Sequence, residues 1–489
     1  MKRCVIGLDL GTTCCKALVV DELGNMIAQG SQGYPLISHG AEIEQKAEDW
    51  VSAASTAIRM ALQDVKDAEV VAISLSTQGG STVATDEKGD FIGNAWTWMD
   101  TRCTLEAEAV ERALTDEYIY KTTGWKIDPS LDAAKILRMK SMEEYRSAKK
   151  YITTLEVVNR WLTGKDVIDP TNCAIRQLWN IEKNDWDEKI LSQIGLSREE
   201  LPPVMPTGAF VGNLTEDCAK ELGLPETVKV FNGAHDQYCA SIGAGAVQEG
   251  DMLLSAGTTW VLMGISKSPL FTESYIAPGK HPVEGLYGAI ASLVCSGASL
   301  QWFKNNFLPE EFDEMNRVVA TRRDKTGELT FFPYMAGANY PLWQLNAKGA
   351  FTGIGLEHDR FDFARAIMEG VAFGIRRAVE DFQQNGTEVK SIVMMGGAAR
   401  SPVWMDMIAS ITNTPIVALN QSDVCALGAA AIAACGCGIF RDYTEAAQKM
   451  VHADKTYAPK EDDVAYYDVK FRNYDRMWQK MRKYYEEMN

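Results

Sequence analysis

The chain has 489 residues, 46% of them hydrophobic and 24% charged, with a formal net charge of −17. That length exceeds the roughly 250 to 300 residues at which a single core stops growing, so two domains are expected, each able to bury its own core. The acidic balance argues against a nucleic-acid partner, since phosphate backbones are held by clustered Lys and Arg, and no stretch reaches the ~20 apolar residues of a membrane span.

Met1-Lys2-Arg3 begins with two positive charges, but the apolar run behind them breaks at Asp9 and is too short and Gly-rich for a secretory signal. Val5 to Leu10 reads as a strand ending in Gly11-Thr12-Thr13, with a second apolar run from Lys16 to Val20. Glycine lets the backbone approach an anion closely, while exposed N–H groups and threonine hydroxyls donate to phosphate oxygens. Gly11, Thr12 and Thr13 are therefore candidate phosphate ligands. Asp9 could orient a magnesium ion through its waters, or it is an ordinary strand-end carboxylate, although a charge inside an apolar strand pair calls for a partner. Lys16 faces either phosphate or solvent.

After a turn at residues 21–25, Met26 to Gln29 starts a third, antiparallel strand. Glu48-Asp49-Trp50 opens a helix whose Trp50, Ala54, Ala57, Ile58 and Ala61 keep helical spacing. Val70-Val71-Ala72-Ile73-Ser74-Leu75 is a buried strand that delivers Ser76-Thr77-Gln78-Gly79-Gly80 to its end, where α/β sheets meet their ligands. A short strand, Ala95-Trp96-Thr97, leads into Trp98-Met99-Asp100-Thr101-Arg102. An aromatic face with an acid and a base suits a polyhydroxylated ligand; alternatively Asp100 and Arg102 form an exposed ion pair beside a core tryptophan. Residues 106–224, helical and irregular with an exposed region at 183–189, read as an inserted lobe.

Val228-Lys229-Val230-Phe231 is a further strand, ending in Asn232-Gly233-Ala234-His235-Asp236-Gln237. Phosphoryl transfer needs magnesium, oriented phosphates and a base for the attacking hydroxyl. Asp236 is the base candidate, because it follows a buried strand, sits among small residues and shortly precedes a second hairpin; the alternative is a turn aspartate bonded to local N–H groups. His235 is the rival base, though it would point the other way if the strand continues. Ala240, Ser241, Gly243, Ala244 and Gly245 suit a close-packed helix or turn, and the domain boundary is placed so that the domains are 1–247 and 248–489.

Met252 to Ala256 followed by Gly257-Thr258-Thr259 and Trp260 to Met263 then repeats the first hairpin. Two copies at the starts of two halves place a nucleotide between related halves. No G-x-x-x-x-G-K-[ST] occurs, so the phosphate-loop ATPases are set aside. Ile392 to Met395 is a strand leading into Gly396-Gly397-Ala398-Ala399-Arg400; Ser401 caps the next helix with Pro402 at its first position, and Trp404, Ile408 and Ile411 line one face. Cys425 to Ala431 forms a helix small enough for another element or a ligand to press against. The tail from Ala465 to Asn489 reads as an aromatic and charged helix laid on the surface. The eleven cysteines are scattered with no C-x-x-C pair, which predicts reduced thiols in a cytoplasmic protein and gives no support to zinc.

Taken in order, several motifs resemble the FGGY family of carbohydrate kinases over nearly the whole chain, the xylulose kinase branch most closely. They are D-L-G-T-T at Asp9 to Thr13, W-x-D-x-R at Trp98 to Arg102, G-A-H-D-Q at Gly233 to Gln237 and S-A-G-T-T at Ser255 to Thr259. S-G-A-S-L-Q-W at Ser296 to Trp302, N-A-K-G-A-F-T-G at Asn346 to Gly353, M-G-G-A-A-R-S-P-V-W from Met395 and A-L-G-A-A from Ala426 complete the set. The resemblance implies an α/β, two-domain, ribonuclease-H-like fold of the actin type, with ATP in the cleft between the domains. It implies Asp236 as catalytic base, Asp9 and Asp236 as the magnesium side, and Gly11 to Thr13, Lys16 and Gly257 to Thr259 on the phosphates. Gly297, Gln301, Gly396, Gly397 and Ser401 would line the nucleotide, and Gln78, Trp98, Asp100, Arg102, Asp236 and Gln237 the sugar.

The activity implied is ATP- and Mg2+-dependent phosphorylation of a terminal hydroxyl of a linear ketose or polyol. D-xylulose comes first, with L-xylulose, ribulose, gluconate and erythritol as alternatives, and a homodimer is a further expectation. Two departures bear on the substrate. Xylulose kinases usually carry Met-His where Gly79-Gly80 stands here, and G-E-R-T-P where Gly337-Ala338-Asn339-Tyr340-Pro341 stands. The arginine-glutamate pair that glycerol kinases place after the same glutamine is absent, which argues against glycerol. An actin-like ATP-driven switch without a sugar is the rival of another class, and the peptides Gly233 to Gln237 and Trp98 to Arg102 weigh against it. A sugar-binding repressor would need a DNA-binding helix-turn-helix that does not appear.

Overall fold

The computed structural model describes residues 2–341, 343–344, 346–419, 421 and 423–487. Met1 of the N-terminal segment, and Met488 and Asn489 of the expected tail helix, lie outside the described residues. The chain divides into two compact units. One comprises Met1–Val247, Pro278–Tyr287 and Asp423–Val451; the other comprises Gln248–Ala277, Gly288–Ser422 and His452–Asn489. Residues 278–287 and 423–451 thus pack with the first unit although they follow the 247/248 boundary expected from the sequence.

In the first unit β1 (Lys2–Leu10), β2 (Cys14–Asp21), β3 (Met26–Gly33), β4 (Ala68–Thr77), β5 (Phe210–Asn213) and β6 (Lys229–His235) make one sheet in the order β5-β6-β4-β1-β2-β3. β1 is antiparallel to β2 and parallel to β4, while β6 is parallel to β4 and antiparallel to β5. A seven-stranded sheet contains β7 (Asp251–Ala256), β8 (Trp260–Ser266), β9 (Tyr287–Leu293), β10 (Ser391–Met395), β11 (Ile416–Leu419) and β12 (Ala453–Tyr457), in the order β12-β11-β10-β7-β8-β9, with Ala277–Lys280 beyond β9. The pairing senses repeat: β7 is antiparallel to β8 and parallel to β10, and β11 is parallel to β10 and antiparallel to β12. The two Gly-Thr-Thr hairpins therefore occupy equivalent places in two sheets of one topology. The edge strand beside β6 precedes its neighbour in the first sheet, whereas β12 follows β11 in the second, which also carries the additional strand Ala277–Lys280.

Six helices carry or brace the candidate residues: α1 (Asp132–Ser141), α2 (Asp236–Gly243), α3 (Ser296–Phe307), α4 (Phe312–Val319), α5 (Pro402–Thr412) and α6 (Val424–Gly436). The small residues of α6 are pressed on by protein. A Cβ on Gly7 of β1 would fall 1.9 Å from the Ala426 carbonyl oxygen, and one on Gly428 would fall 1.8 Å from that of Cys239 in α2. A Cβ on Gly243 would fall 1.9 Å from the Val424 carbonyl oxygen. The α2–α6 contact has a glycine on each helix, the β1–α6 contact one on β1 against Ala426 and Ala430, and a helix apolar all round is a buried one.

The stretch 106–224 is helical and irregular, and it also contributes strands. Lys150–Thr153 joins a second sheet with Ile37–His39, Glu42–Gln45, Phe91–Trp96 and Thr82–Thr85, and β5 closes the main sheet. Trp186, in the region expected to be exposed, is buried and meets Trp179 edge-on at 5.2 Å between ring centroids. The lysines around it mask the apolar area of that one large ring. The tail helix, Glu461–Glu487, turns Tyr467, Phe471, Tyr474, Trp478 and Tyr485 into the core of the second unit.

All eleven cysteines carry free thiols, and burial pushes those of Cys15, Cys239 and Cys425 up. Among the described residues no helix is long and apolar enough to cross a membrane.

His281, in the returning segment 278–287, is buried beside α2. Its Nε2 lies 3.0 Å from Ser241 Oγ, and its Nδ1 accepts the Val283 N–H at 3.1 Å. An accepting Nδ1 leaves the proton on Nε2, the neutral ring that burial favours. Burial accordingly pulls the imidazole from 6.5 down to about 3. Below its ordinary value the unfolded chain takes up a proton that the folded chain refuses, so stability falls as pH drops through this window, by up to about 1.4 kcal/mol per pH unit. Thermal melts of wild type and His281→Gln between about pH 6.5 and about pH 4 should converge as the wild type loses ground on acidification; curves that stay parallel would contradict the assignment.

Candidate functional site

Three parallel strands of the first unit end at one level and bring the candidates to one edge of the sheet. The register sets Asp9 beside Ser76 on β4, and Ser76 beside Ala234 on β6. Gln78 follows β4 and Asp236 follows β6, so both arrive at the carboxyl ends of strands, where open α/β sheets bind ligands. The Asp9 Oδ1 accepts from Ser76 Oγ at 2.7 Å. Burial raises the Asp9 carboxyl to about 7; the Ser76 hydrogen bond opposes the shift, the Asp236 carboxylate adds to it, Lys16 opposes it and Asp423 adds.

Asp236 opens α2, and its side chain is 27% exposed. His235 Nε2 lies 3.2 Å from Asp236 Oδ1. The imidazole therefore turns toward the carboxylate and not to the opposite face, because the strand stops at His235 and alternation ends with it. Gly79 makes room for the ring, since a Cβ there would fall 2.6 Å from His235 Cδ2.

A chain of hydrogen bonds ties the first hairpin to Gln78 and Trp98. Gln78 Nε2 donates to Gln45 Oε1 at 2.8 Å, and Gln45 Nε2 donates to the Thr12 carbonyl at 2.6 Å. Trp98 Nε1 donates to Thr12 Oγ1 at 3.2 Å. The side-chain oxygens of Gln78 and Gln237 are buried with no hydrogen-bond partner among the described residues. An unsatisfied buried acceptor costs about 1 to 3 kcal/mol, so two such oxygens at adjacent strand ends are suited to hydroxyl donors.

Asp100 is fully buried and accepts from the Ile43 N–H at 2.9 Å and from Arg102 Nε at 3.0 and 2.9 Å. Arg102 also binds Glu44 at 2.6 Å and lies 4.2 Å over the Trp96 ring. The pair is thus internal, with Asp100 and Arg102 committed to each other, and Trp98, at 44% exposure, is the part of this peptide that reaches solvent. Lys16 pairs with Asp423, the residue just before α6, a partner nothing in the local sequence announced.

In the second unit a cavity of about 700 Å3 gathers Gly257, Thr258, Gly297, Gln301, Gly397 and Ser401. Thr259 and Gly396 lie outside its lining. A Cβ on Gly297 would fall 2.1 Å from the Gly257 carbonyl oxygen, so glycine lets the amino end of α3 press on the hairpin. That end presents N–H groups and a positive dipole to an anion. Ser401 caps α5 as expected, accepting the Trp404 N–H, and its hydroxyl donates to Asn316 Oδ1 at 2.9 Å. Phe312, Met315 and Asn316 of α4, with Leu300 and Trp404, supply the apolar wall and a polar edge. Sequence reading missed α4, whose amphipathic spacing resembles that of any surface helix.

Carboxylates with one raised acid constant suit a magnesium ion held largely through water, which binds proteins by one or two carboxylates plus phosphates. Among the described residues no group of three or more His, Cys, Asp or Glu side chains could hold a metal ion.

Two sheets of the same topology, each with a phosphate-type hairpin, one flanked by a carboxylate at a strand end and the other by a nucleoside-sized cavity, define a phosphotransferase. Residues 4–243 match the FGGY family of carbohydrate kinases, N-terminal domain, and residues 252–437 match its C-terminal domain. The chain belongs to that family: it is an ATP-dependent sugar phosphotransferase. It is 30% identical over 485 residues to the xylulose kinase of Bacillus subtilis (strain 168), covering 97% of this chain and 96% of that protein. The gluconokinase of the same organism is 27% identical, over 96% of this chain and 94% of that one. Among solved structures, the ligand-bound xylulose kinase from Lactobacillus acidophilus superposes with a TM-score of 0.94 at 27% identity, covering 100% of both chains. Gluconate kinase from the same species gives 0.94 at 26% identity, again over 100% of both chains.

The paired glycines Gly396 and Gly397 separate backbone demand from ligand demand. Gly396 has φ +95°, and its Cβ would fall 2.6 Å from the Ala256 carbonyl oxygen, whereas a Cβ on Gly397 meets nothing within 4 Å. Gly397→Val should melt within about 2 °C of wild type yet raise the KM for ATP at least about tenfold. Gly396→Val should lower the melting temperature itself. Equal melting temperatures with an unchanged KM in Gly397→Val would show that nothing binds against that glycine.

Proposed function

We propose that the enzyme transfers the γ-phosphoryl group of ATP to a terminal hydroxyl of a neutral open-chain ketose, with D-xylulose as the first candidate. The observation that carries this reading is the pair of buried acceptor oxygens on Gln78 and Gln237, one on each strand end beside Asp236, that find no hydrogen-bond partner among the described residues. Arg102 is held by Asp100 and Glu44, Lys16 by Asp423, and Arg176 by Asp132. A polyhydroxylated neutral substrate needs acceptors and an aromatic wall, here Trp98; a sugar acid would call for a cation as well. Identity to the Bacillus subtilis xylulose kinase supports the ketose. The likeness to the Lactobacillus acidophilus gluconate kinase favours a second reading, gluconate.

In this reading Asp236 accepts the proton of the attacking hydroxyl, and the His235 imidazole beside it fixes the orientation of the carboxylate. Gln78 and Gln237 accept from sugar hydroxyls, while Asp100 and Arg102 hold the Trp98 loop in place. Gly11, Thr12 and Thr13, with Gly257, Thr258 and Thr259, donate to phosphate oxygens. Gly297, Gln301, Gly397 and Ser401 bound the nucleoside, and Gly396 supplies the turn that presents Gly397. Asp9 and Asp236 would hold Mg2+ through its waters, the ion neutralising phosphate charge as transfer proceeds. Lys16, by pairing with Asp423, keeps that carboxylate from adding its full charge to the same place. A cytoplasmic location fits a chain whose eleven cysteines are all unpaired.

The test is ADP formation from ATP and Mg2+ with pentuloses, hexuloses, pentitols, tetritols, gluconate and glycerol, with Asp236→Asn in parallel. Turnover on a pentulose that falls by roughly a hundredfold to ten-thousandfold in the variant is expected. Preference for gluconate would replace the ketose by the second reading, and near-normal turnover by Asp236→Asn would remove Asp236 as the base.

A further inference from the structure

Lys135, on α1, is fully buried, and its Nζ lies 2.7 Å from the Gly80 carbonyl oxygen, 3.1 Å from that of Trp96 and 2.6 Å from that of Thr97. An ammonium has three donors and no acceptor, so three carbonyls match it. Lysine is almost never fully buried unless paired, and here the neighbouring carboxylates are taken. Asp132 is bound by Arg176 and by the Thr82 hydroxyl, and Asp100 by Arg102. The hydrogen bonds of this cation go to main-chain carbonyls alone.

Those carbonyls belong to the two loops that matter for the sugar. Gly80 lies two residues beyond Gln78, and Thr97 immediately precedes Trp98. Gly80 has φ +67°, and a Cβ on it would fall 3.3 Å from Trp98 Cβ, so the loops touch. Each loop presents a carbonyl to the same ammonium; the Thr97 carbonyl also accepts the Asp100 N–H at 3.0 Å, and Lys135 is the donor the two loops share. We infer that Lys135 is a positioning residue, clamping the Gln78 and Trp98 loops at the spacing the sugar requires. This role rests on the sugar-binding assignment of Gln78 and Trp98 made above.

A lysine that merely fills the core would, when replaced, lower stability and affect both substrates alike. A clamp acts on one substrate, since misplacement by an ångström can cost about a hundredfold. In Lys135→Met, of similar length but without donors, the KM for the sugar should rise at least about tenfold while the KM for ATP stays within about twofold, since the residues that bound the nucleoside lie in the other unit. Lys135→Gln, which keeps two donors, should give an intermediate sugar KM, and the split is read on it if the methionine variant does not fold. An active wild type whose variants keep the sugar KM, or shift both constants together, would overturn the role of Lys135 alone. A wild type inert on every sugar would overturn the proposed function and this role with it.

Discussion

Backbone contact between α6 and its two neighbours is the constraint on which the first unit depends. Gly7 on β1, Gly428 on α6 and Gly243 on α2 each stand where a methyl group would sit within 2 Å of a main-chain oxygen. One helix therefore fixes two elements at once, β1, which carries Asp9, and α2, which carries Asp236. The separation of those carboxylates is set by main chain, which does not relax as side chains do. Asp423, just ahead of the same helix, adds the partner of Lys16. A segment from late in the chain thus completes the edge of the sheet where the chemistry is placed.

That edge stores electrostatic tension of a useful kind. Asp9 is buried, and burial together with the Asp236 and Asp423 carboxylates holds it up at about 7. Lys16 opposes the shift only in part, being itself paired with Asp423. In the proposed reading, charge complementarity for a phosphate chain would come from a metal ion, from hairpin N–H groups and from the amino end of α3, none of which requires desolvating a basic side chain.

Much of this was legible in the sequence, for identifiable reasons. The duplicated hairpins, the strand before Gln78, the strand before Asp236 and the Ser401-Pro402 cap are local signals, written within ten residues each, and the repeated sheet order shows that the two hairpins were the right landmark. What stayed hidden was long-range. Nothing near Cys425 to Ala431 says that its small residues meet Gly7, more than four hundred positions earlier, or that 278–287 returns to the first unit. The orientation of His235 hung on whether the strand continued, and a helix that begins at Asp236 cuts the alternation short. Asp100 and Arg102 offered two readings, and only the register of Glu42–Gln45 beside Phe91–Trp96, which brings Glu44 alongside, shows the pair to be internal. Lys135 looked like any helical lysine, because main-chain carbonyls leave no trace in a sequence.

The account stands or falls on whether the α6 contact governs the chemistry of the first unit and leaves the nucleotide cavity of the second alone. Gly428→Ala places a methyl group 1.8 Å from the Cys239 carbonyl oxygen and must push α2 and α6 apart. The measurement is sugar turnover and nucleotide affinity on the same folded preparation of that variant. Turnover lowered at least about tenfold with ATP affinity kept within about twofold is what the account predicts; full turnover, or loss of both together in a protein that still melts cooperatively, would contradict it.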